Sequence, residues 1–317
     1  MPDQTAERLA RDPESLKLGV FTFVCDSIGE SAFAEVAPDA VRGMILSCRD
    51  HELRFLFIDD ASQCHIGVTL VNLCRSLGVD AHVIRLEKAL GYRDGCERTI
   101  MSLNWIQENW ADIDLVVKTD CDALIIRNDF GKVLNELSSS EDNPACWGYG
   151  LHMRRRDRIL YLADLLPIGF RRAVRSEKIT RDWELRRLKP VWWWRWGIKG
   201  LFRGFSFRYV GGSFYIMNRA AIRILEEHGC LTSHTRERLG FVTSEEDVLI
   251  TTFLRACGAR IVDLSGVSPP LFNLRVSSSS DVSAAIETGS YVVHPIKRLG
   301  QSLDLVRNLH STWLRDV

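Results

Sequence analysis

The chain has 317 residues, with 41 Lys and Arg against 41 Asp and Glu, and 46% of its residues are hydrophobic. These proportions are those of a globular protein with a large core, so they exclude collagen, an intrinsically disordered chain and a mini-protein. No apolar run approaches the roughly 18 residues of a transmembrane helix, and the first residues lack the basic and apolar regions of a signal peptide. The nine cysteines form no Cys-x-x-Cys pair, which favours a reducing, cytoplasmic compartment and argues against a zinc cluster.

Short apolar runs alternate with helical patterns in the first half of the chain, after a polar arm at 1–16. Continuous apolar strands separated by helices predict a mostly parallel sheet with helices on both faces. Ligands on such sheets bind at the carboxyl ends of the strands. In chain order we predict a strand at 18–24, a helix at 33–48, a strand at 53–58, a helix at 65–77, a strand at 81–86, a helix at 95–109, a strand at 113–118, short strands at 123–126 and 145–149, and a polar loop at 138–144.

The last third of the chain continues the pattern with shorter elements. No internal repeat and no glycine-rich phosphate loop occur, which argues against P-loop and dinucleotide-binding proteins. We predict a strand at 208–217, helices at 218–228 and 244–257, a strand at 260–264, a loop over 265–290 and a short strand at 291–295, with glycines 78, 229 and 258 closing helices.

The neutral total charge conceals a basic segment between the two halves. Residues 151–210 contain sixteen Lys and Arg and five Asp and Glu, a net charge of 16 − 5 = +11, so the rest of the chain carries 25 − 36 = −11. The same segment contains Val191-Trp-Trp-Trp-Arg-Trp-Gly197. Tryptophan beside basic residues is typical of a membrane interface, but also of an acceptor-binding lid, a partner interface or a buried core with a solvated basic face.

Asp120 and Asp122 follow one buried strand and precede another apolar run. Two carboxylates one residue apart can share a divalent cation, whereas unpaired charge between buried strands is costly. The alternative interpretation is a solvated turn. A second Asp-x-Asp pair, Asp112 and Asp114, precedes a strand and lacks this placement.

Three other patterns have both a structural and a functional interpretation. The acidic stretch 244–247 can cap a helix, and Asp247 in it can also act as a general base. His294, near the end of an apolar strand, is either an ordinary core or surface histidine or a third metal ligand. Gly211 and Gly212 inside a strand mark either a bulge or a place where a ligand approaches the backbone.

In their order along the chain these segments resemble a GT-A-type, nucleotide-sugar-dependent glycosyltransferase. Residues 116–125 are similar to the metal-binding Asp-x-Asp segment of that fold, 209–218 to its glycine-containing strand under the donor sugar, and 245–248 to its Glu-Asp motif. His294 stands where many members have a late metal-binding histidine.

The resemblance covers residues 18–298 apart from 151–207 and draws on two subfamilies. Residues 57–62 are similar to the Asp-Asp-Gly-Ser of glycosyltransferase family 2, with Ala61 in place of glycine. The Lys-Thr-Asp-x-Asp and Glu-Asp-Val pieces resemble the fringe and β-1,3-galactosyltransferase type.

The resemblance implies a single Rossmann-like GT-A domain at 17–317, with a nucleotide-binding half at 17–150, the insert 151–207 and an acceptor and catalytic half at 208–317. It implies inverting transfer of a sugar from a nucleoside-diphosphate sugar, expected to be a UDP-sugar, to a hydroxyl acceptor in surface glycan or glycolipid synthesis. It also implies Mn²⁺ or Mg²⁺ as cofactor. The implied metal ligands are Asp120, Asp122 and His294; the implied donor-binding residues are Asp59, Asp60, Arg98, Asp120, Gly211, Gly212 and Lys297; the implied catalytic residues are Asp247, as base, and Glu246.

Several alternatives stay open from the sequence. Arg98 can equally be a helix-surface residue, and Arg298 can take the place of Lys297 at the diphosphate. A retaining GT-A enzyme, or a non-catalytic glycan- or membrane-binding module on a degenerate GT-A scaffold, would have similar motifs, whereas a sugar nucleotidyltransferase would need a glycine-rich loop after Val24. We expect a glycan or lipid-linked acceptor, peripheral contact of 151–207 with the inner leaflet, and no nucleic-acid partner.

Overall fold

The computed structural model describes residues 15–24, 31–88, 95–140, 143–152, 158, 191–204, 208–235, 246–273, 276–296 and 300–315. The strands are β1 (Lys17–Val24), β2 (Glu52–Asp59), β3 (Asp80–Arg85), β4 (Leu115–Thr119), β5 (Leu124–Ile125), β6 (Ala145–His152), β7 (Arg208–Asn218), β8 (Arg260–Asp263), β9 (Phe272–Asn273) and β10 (Val292–Val293). The helices are α1 (Ser31–Ser47), α2 (Ile66–Ser76), α3 (Gly95–Asn109), α4 (Phe130–Ser140), α5 (Val191–Phe202), α6 (Arg219–Glu227), α7 (Glu246–Cys257), α8 (Ser279–Glu287) and α9 (Gly300–Arg315).

A seven-stranded sheet in the order β3-β2-β1-β4-β7-β6-β8 forms the centre of the molecule. All its strands run in one direction except β7, which is antiparallel to both β4 and β6. The apolar runs are continuous because both faces of the sheet are covered: Leu115 and Val117 of β4 pack into one hydrophobic cluster and Val116 into another. The predicted α/β class, with a mostly parallel sheet and helices on both faces, is therefore confirmed.

A small second sheet has the strand order β5-β10-β9. Its strand β5 follows β4 in the chain, after the carboxyl edge of the central sheet. The loop predicted over 265–290 is wrong in part, because β9 and α8 lie within it. The serine run at 277–280 starts α8: the Ser278 hydroxyl accepts a hydrogen bond from the Asp281 backbone N–H, and the Asp281 carboxylate accepts one from the Ser278 backbone N–H, as in a capping box. Serine clusters favour loops and helix starts alike, so composition alone does not separate the two.

Other element boundaries differ less from the predictions. The loop predicted at 138–144 begins too early, since α4 continues to Ser140, and α4, α5 and α9 were not predicted at all. Gly78, Gly229 and Gly258 have positive φ directly after α2, α6 and α7, as predicted for glycines that close helices.

Topology also fixes where the basic segment joins the fold. His152, at the end of β6, pairs with Arg208, at the start of β7, so the chain leaves and re-enters the sheet at its carboxyl edge. Residues 1–14 and, within 151–207, all but 151–152, Arg158 and 191–204 lie outside the described residues, so the proposed domain division stays a prediction. Within the described part of the chain, no helix combines the length and the apolar character needed to cross a bilayer.

Candidate metal centre

Asp120, Asp122 and His294 come together at the carboxyl edge of the sheet. Each offers one ligand atom, and the three atoms lie within 4.8 Å of one another. The Nε2 atom of His294 is 3.2 Å from Oδ1 of Asp122 and 3.5 Å from Oδ2 of Asp120. The Asp122 side chain is only 2% exposed, whereas that of Asp120 is 33% exposed, so the cluster opens to solvent on the Asp120 side.

Strand pairing explains how residues 172 positions apart become neighbours. β5 begins two residues after Asp122 and β10 ends directly before His294, and the two strands pair antiparallel with Val293 opposite Leu124. One step further in this register places His294 beside Ala123, the residue directly after Asp122. The Ile296 N–H donates to the carbonyl of Asp122 at 3.2 Å, which continues the connection past the histidine.

The donor set of the cluster suits a hard or borderline divalent cation. Carboxylate oxygens are the ligands that Mg²⁺ and Mn²⁺ prefer, and a neutral imidazole is well tolerated by Mn²⁺. Partial exposure of Asp120 leaves one side of the cluster open for ligands that the protein does not supply. The three residues therefore fit the divalent metal ion that the resemblance implies.

Lys118 connects the metal cluster to the glycine-containing strand. Its ammonium group lies 2.5 Å from Oδ1 of Asp120 and donates to the Gly212 carbonyl, and its side chain is only 2% exposed. Burial acts to lower the pKa of Lys118, but the negative charges of Asp120 and Glu246 outweigh it and the pKa is raised. Lys118 is therefore a buried cation that holds one oxygen of Asp120 while the other oxygen faces His294.

The two acids at the start of α7 occupy different environments. Asp247 accepts the Gly212 N–H at 3.3 Å through Oδ2 and the Val248 N–H at 2.8 Å through Oδ1, and it is nearly buried. Glu246 accepts the Tyr215 hydroxyl at 3.2 Å and lies 4.0 Å from the Lys118 ammonium. Burial raises the pKa of Glu246, and the positive charge of Lys118 opposes that shift.

The acids after β2 are both buried and paired with donors of the protein itself. Asp59 accepts from the Ser62 backbone at 2.7 Å, the Ser62 hydroxyl at 2.9 Å and the Arg85 guanidinium at 3.2 Å. Asp60 accepts from the Arg98 guanidinium at 2.6 Å, and both side chains are less than a tenth exposed. Arg98 is thus a buried residue rather than a helix-surface one, while contact of these three residues with a nucleotide stays a prediction.

The second Asp-x-Asp pair has a structural role. Asp112 binds Lys17 at 2.8 Å and Arg54 at 2.8 Å, and the Arg54 and Lys17 hydrogen bonds hold the pKa of Asp112 well below its usual range. Asp114 accepts the Lys17 backbone N–H at 2.8 Å. These contacts connect the start of β1 to β2 and to the turn before β4. The position of each Asp-x-Asp pair relative to the strands therefore distinguishes the structural pair 112/114 from the candidate metal-binding pair 120/122, as the sequence suggested.

Sequence reasoning missed Lys118 and Tyr215 as parts of the site. The available signal for Lys118 was a lone lysine in an otherwise apolar buried strand, where a cation needs carboxylate partners. Gly211 and Gly212 lie in β7, and Gly212 contacts both Lys118 and Asp247, as expected for a strand bordering the site. Lys297, Arg298 and the first residues of the acidic stretch, 244–245, lie outside the described residues.

Comparison with known proteins defines the fold. No family model matches the chain, and no curated protein matches it. Among solved structures, the chain is similar to WbbM, described as a bifunctional glycosyltransferase in its apo form, with 10% sequence identity and a TM-score of 0.50 over 94% of this chain and 50% of that one. The chain thus spans half the length of that neighbour. At this identity the likeness concerns the fold alone: the protein has the mixed α/β fold of a glycosyltransferase.

Proposed function

We propose that the protein is a metal-dependent glycosyltransferase that moves a sugar from a nucleoside-diphosphate sugar to a hydroxyl acceptor. The observation that carries the proposal is the Asp120, Asp122 and His294 cluster, which lies at the carboxyl edge of a glycosyltransferase fold. Ligands of parallel α/β sheets bind at that edge. The donor is proposed to be a UDP-sugar and the ion Mn²⁺ or Mg²⁺.

Each part of the site has a task in this reaction. A divalent cation bound there would neutralise the negative charge that the diphosphate leaving group gains. Asp120, Asp122 and His294 would hold that ion, and Lys118 keeps Asp120 in place. Gly211 and Gly212 would leave room for the donor sugar beside β7, and Arg98 and Asp60, which form a buried ion pair, would contact the nucleotide.

Asp247 is proposed as the general base. As the acceptor oxygen bonds to the anomeric carbon and the bond to the diphosphate oxygen breaks, Asp247 takes the hydroxyl proton. Inversion follows because this single displacement attacks the anomeric carbon from the face opposite the diphosphate. The Gly212 N–H contact holds the Asp247 carboxylate next to the strand that would border the donor sugar. Glu246, with its raised pKa and its contact to Tyr215, supports the same region from the interior.

The acceptor is proposed to be a glycan or a lipid-linked glycan at the inner surface of a membrane, in synthesis of a surface glycan or glycolipid. The +11 charge of residues 151–210 supports this, because it would attract the protein to anionic lipid. A retaining mechanism remains the competing enzyme proposal, and analysis of the product anomer decides between the two.

The test is calorimetric titration of UDP and of GDP, each with and without Mn²⁺. We expect metal-dependent binding of one nucleotide, and loss of that binding in Asp122→Ala, because a cation at this site would lose its most buried ligand. Asp112→Ala is the matched control: it alters the other Asp-x-Asp pair and should leave the metal-dependent binding intact.

Two outcomes would contradict the proposal. Binding of neither nucleotide at any Mn²⁺ concentration would indicate a non-catalytic module on a degenerate scaffold. Equal nucleotide binding by wild type and Asp122→Ala would show that the cluster is not the metal site.

A further inference from the structure

Helix α5 has two chemically different faces. Trp196, Gly197, Gly200 and Leu201 face the protein: the two glycines are buried, and the Trp196 ring packs edge-on against Phe253 of α7 at 5.2 Å between centroids. Helical spacing puts these four positions on one side of α5. This inner face fixes α5 to the body of the protein.

The opposite side of α5 is basic and carries an exposed aromatic ring. Arg195, Lys199 and Phe202 of α5, and Arg203 directly after it, follow one another at spacings of four, three and one, which places them within an arc of about 100° because the Arg203 N–H still bonds to the Lys199 carbonyl. Arg195 and Arg203 are exposed, and Phe202 is 88% exposed, the highest value among the exposed large apolar residues of the described chain. We call these four residues the outer face of α5.

No acid lies within 191–204 to neutralise this face. Lys199 lies over the Trp196 ring at 5.4 Å, so its ammonium group sits at the border between the two faces. An exposed phenyl ring among three cations, on a helix whose other side is already anchored, is the arrangement of an interfacial helix whose apolar group enters the headgroup boundary while its cations meet anionic headgroups.

We propose that the outer face of α5 docks the protein on an anionic lipid surface. Charge complementarity supports a lipid surface, and the exposed Phe202 favours a bilayer over a soluble polyanion, which would offer the ring no apolar phase. The proposal does not depend on glycosyl transfer, since it concerns a surface outside the metal cluster.

The position of the outer face relative to the candidate base also fits a membrane-bound acceptor. Trp196 contacts Phe253, and Arg203 lies against Gly258 just after α7, so α5 and α7 run in the same direction. Phe202 and Arg203 therefore lie near the end of α7, and Asp247 near its start. Ten residues of helix separate Asp247 from Cys257, which is about 15 Å.

The experiment is sedimentation of the full chain with phosphatidylcholine vesicles that contain or lack phosphatidylglycerol, at low and high salt. We expect salt-sensitive binding only to the anionic vesicles. The triple variant Arg195→Gln, Lys199→Gln, Arg203→Gln should bind roughly 100-fold more weakly, because each basic residue near an anionic surface contributes to the binding free energy and the three contributions add. Phe202→Ser should weaken binding roughly 10-fold through the lost apolar contact.

The matched control removes the same number of charges elsewhere: Arg75→Gln, Lys132→Gln, Arg223→Gln, three exposed residues on α2, α4 and α6. This control should bind anionic vesicles as the wild type does, and circular dichroism should show all variants folded. The proposal is overturned if wild type ignores anionic vesicles, if the α5 triple variant and the control lose binding equally, or if the α5 variant loses binding only to soluble heparin. Mn²⁺-dependent nucleotide binding should be unchanged in the α5 variants, so failure here is distinguishable from failure of the proposed function.

Discussion

The carboxylate of Asp247 combines a capping contact with a position next to Gly212. Asp247→Asn preserves the size of the side chain and an oxygen that can accept the Gly212 N–H. The amide, unlike the carboxylate, is not basic enough to take a proton from the acceptor hydroxyl. We expect transfer to fall by about 10²- to 10⁴-fold, the usual contribution of a general base, while nucleotide binding with Mn²⁺ survives.

Turnover and calorimetry on the same preparation of Asp247→Asn separate the two roles. Near-wild-type turnover would show that Asp247 only caps α7. Loss of both turnover and nucleotide binding would instead assign it to donor binding or to the fold of the site.

Replacement of Lys118 is expected to change the stability of the fold. Lys118→Met keeps a similar length but leaves the carboxylates of Asp120 and Glu246 without their shared cation in a mostly buried setting. Breaking a buried pair in this way costs about 3 kcal/mol or more of the free energy of unfolding. The cost should shrink at acidic pH, because protonation of Glu246, whose pKa is raised by burial, removes one of the two charges that the variant leaves unpaired.

Urea denaturation at neutral and acidic pH measures the effect of Lys118→Met. The control is Lys132→Met on α4, where the lysine is exposed and the expected change is within about 0.5 kcal/mol. Equal stability of Lys118→Met and wild type would mean that the two acids do not need this cation.

At the scale of elements, the long apolar strands and the helices between them could be predicted because both faces of the central sheet are covered. The helix at 95–109 was predicted with its observed bounds, and the strands β1, β2 and β3 within one residue at each end. The two-residue strands β9 and β10 carry too little pattern to predict their partners, yet β10 places His294. The three residues of the metal cluster could be predicted from residue type and order. That His294 lies next to Asp120 and Asp122 depends on the long-range pairing of β10 with β5.

Helix α9 was missed because a histidine takes one of its inward positions. Leu303, Val306 and Trp313 are buried at helical spacing, and His310 lies between them, also buried. Its Nε2 atom donates to the Ile125 carbonyl of β5 at 2.8 Å, so α9 supports the strand that pairs with β10. A polar residue with one specific backbone partner breaks the apolar pattern without breaking the helix.

His310 also gives the fold a pH dependence. Burial lowers the pKa of His310 below 6.5, against the Ile125 contact and Asp39, which raise it, while nearby Arg42 lowers it further. A histidine whose pKa is lowered in the folded state contributes stability above pH 6.5 that is lost as the pH falls through its folded value. We expect the unfolding temperature of wild type to fall with pH in this window.

His310→Gln tests this assignment because glutamine can donate to the Ile125 carbonyl but does not titrate. The variant should be less stable than wild type at neutral pH by about 1 kcal/mol, since the ring packing is lost, and its unfolding temperature should change less on acidification. An identical pH dependence in the two proteins would assign the effect to other groups.

At the scale of the whole molecule, the two halves of the chain are interleaved in one sheet. β7 belongs to the later half, yet it lies between β4 and β6 of the earlier half, and β8 pairs with β6. Residues 17–150 therefore leave a gap between β4 and β6 that only β7 can fill. This topology predicts that neither half folds by itself, although the sequence divides naturally at the basic segment.

We expect one cooperative unfolding transition for the full chain, with coincident curves by circular dichroism and tryptophan fluorescence. A fragment of residues 17–150 should be unfolded, because β4 would lack β7 on its open side and the second hydrophobic cluster would lack α6 and α7. Nucleotide with Mn²⁺ should raise the free energy of unfolding by about 2.7 kcal/mol when its concentration is a hundredfold above the dissociation constant. Because the site contains residues from both halves, the single transition of the whole chain should shift. Two separate transitions, or a folded 17–150 fragment, would show that the halves are independent domains and that the site lies between them rather than within one.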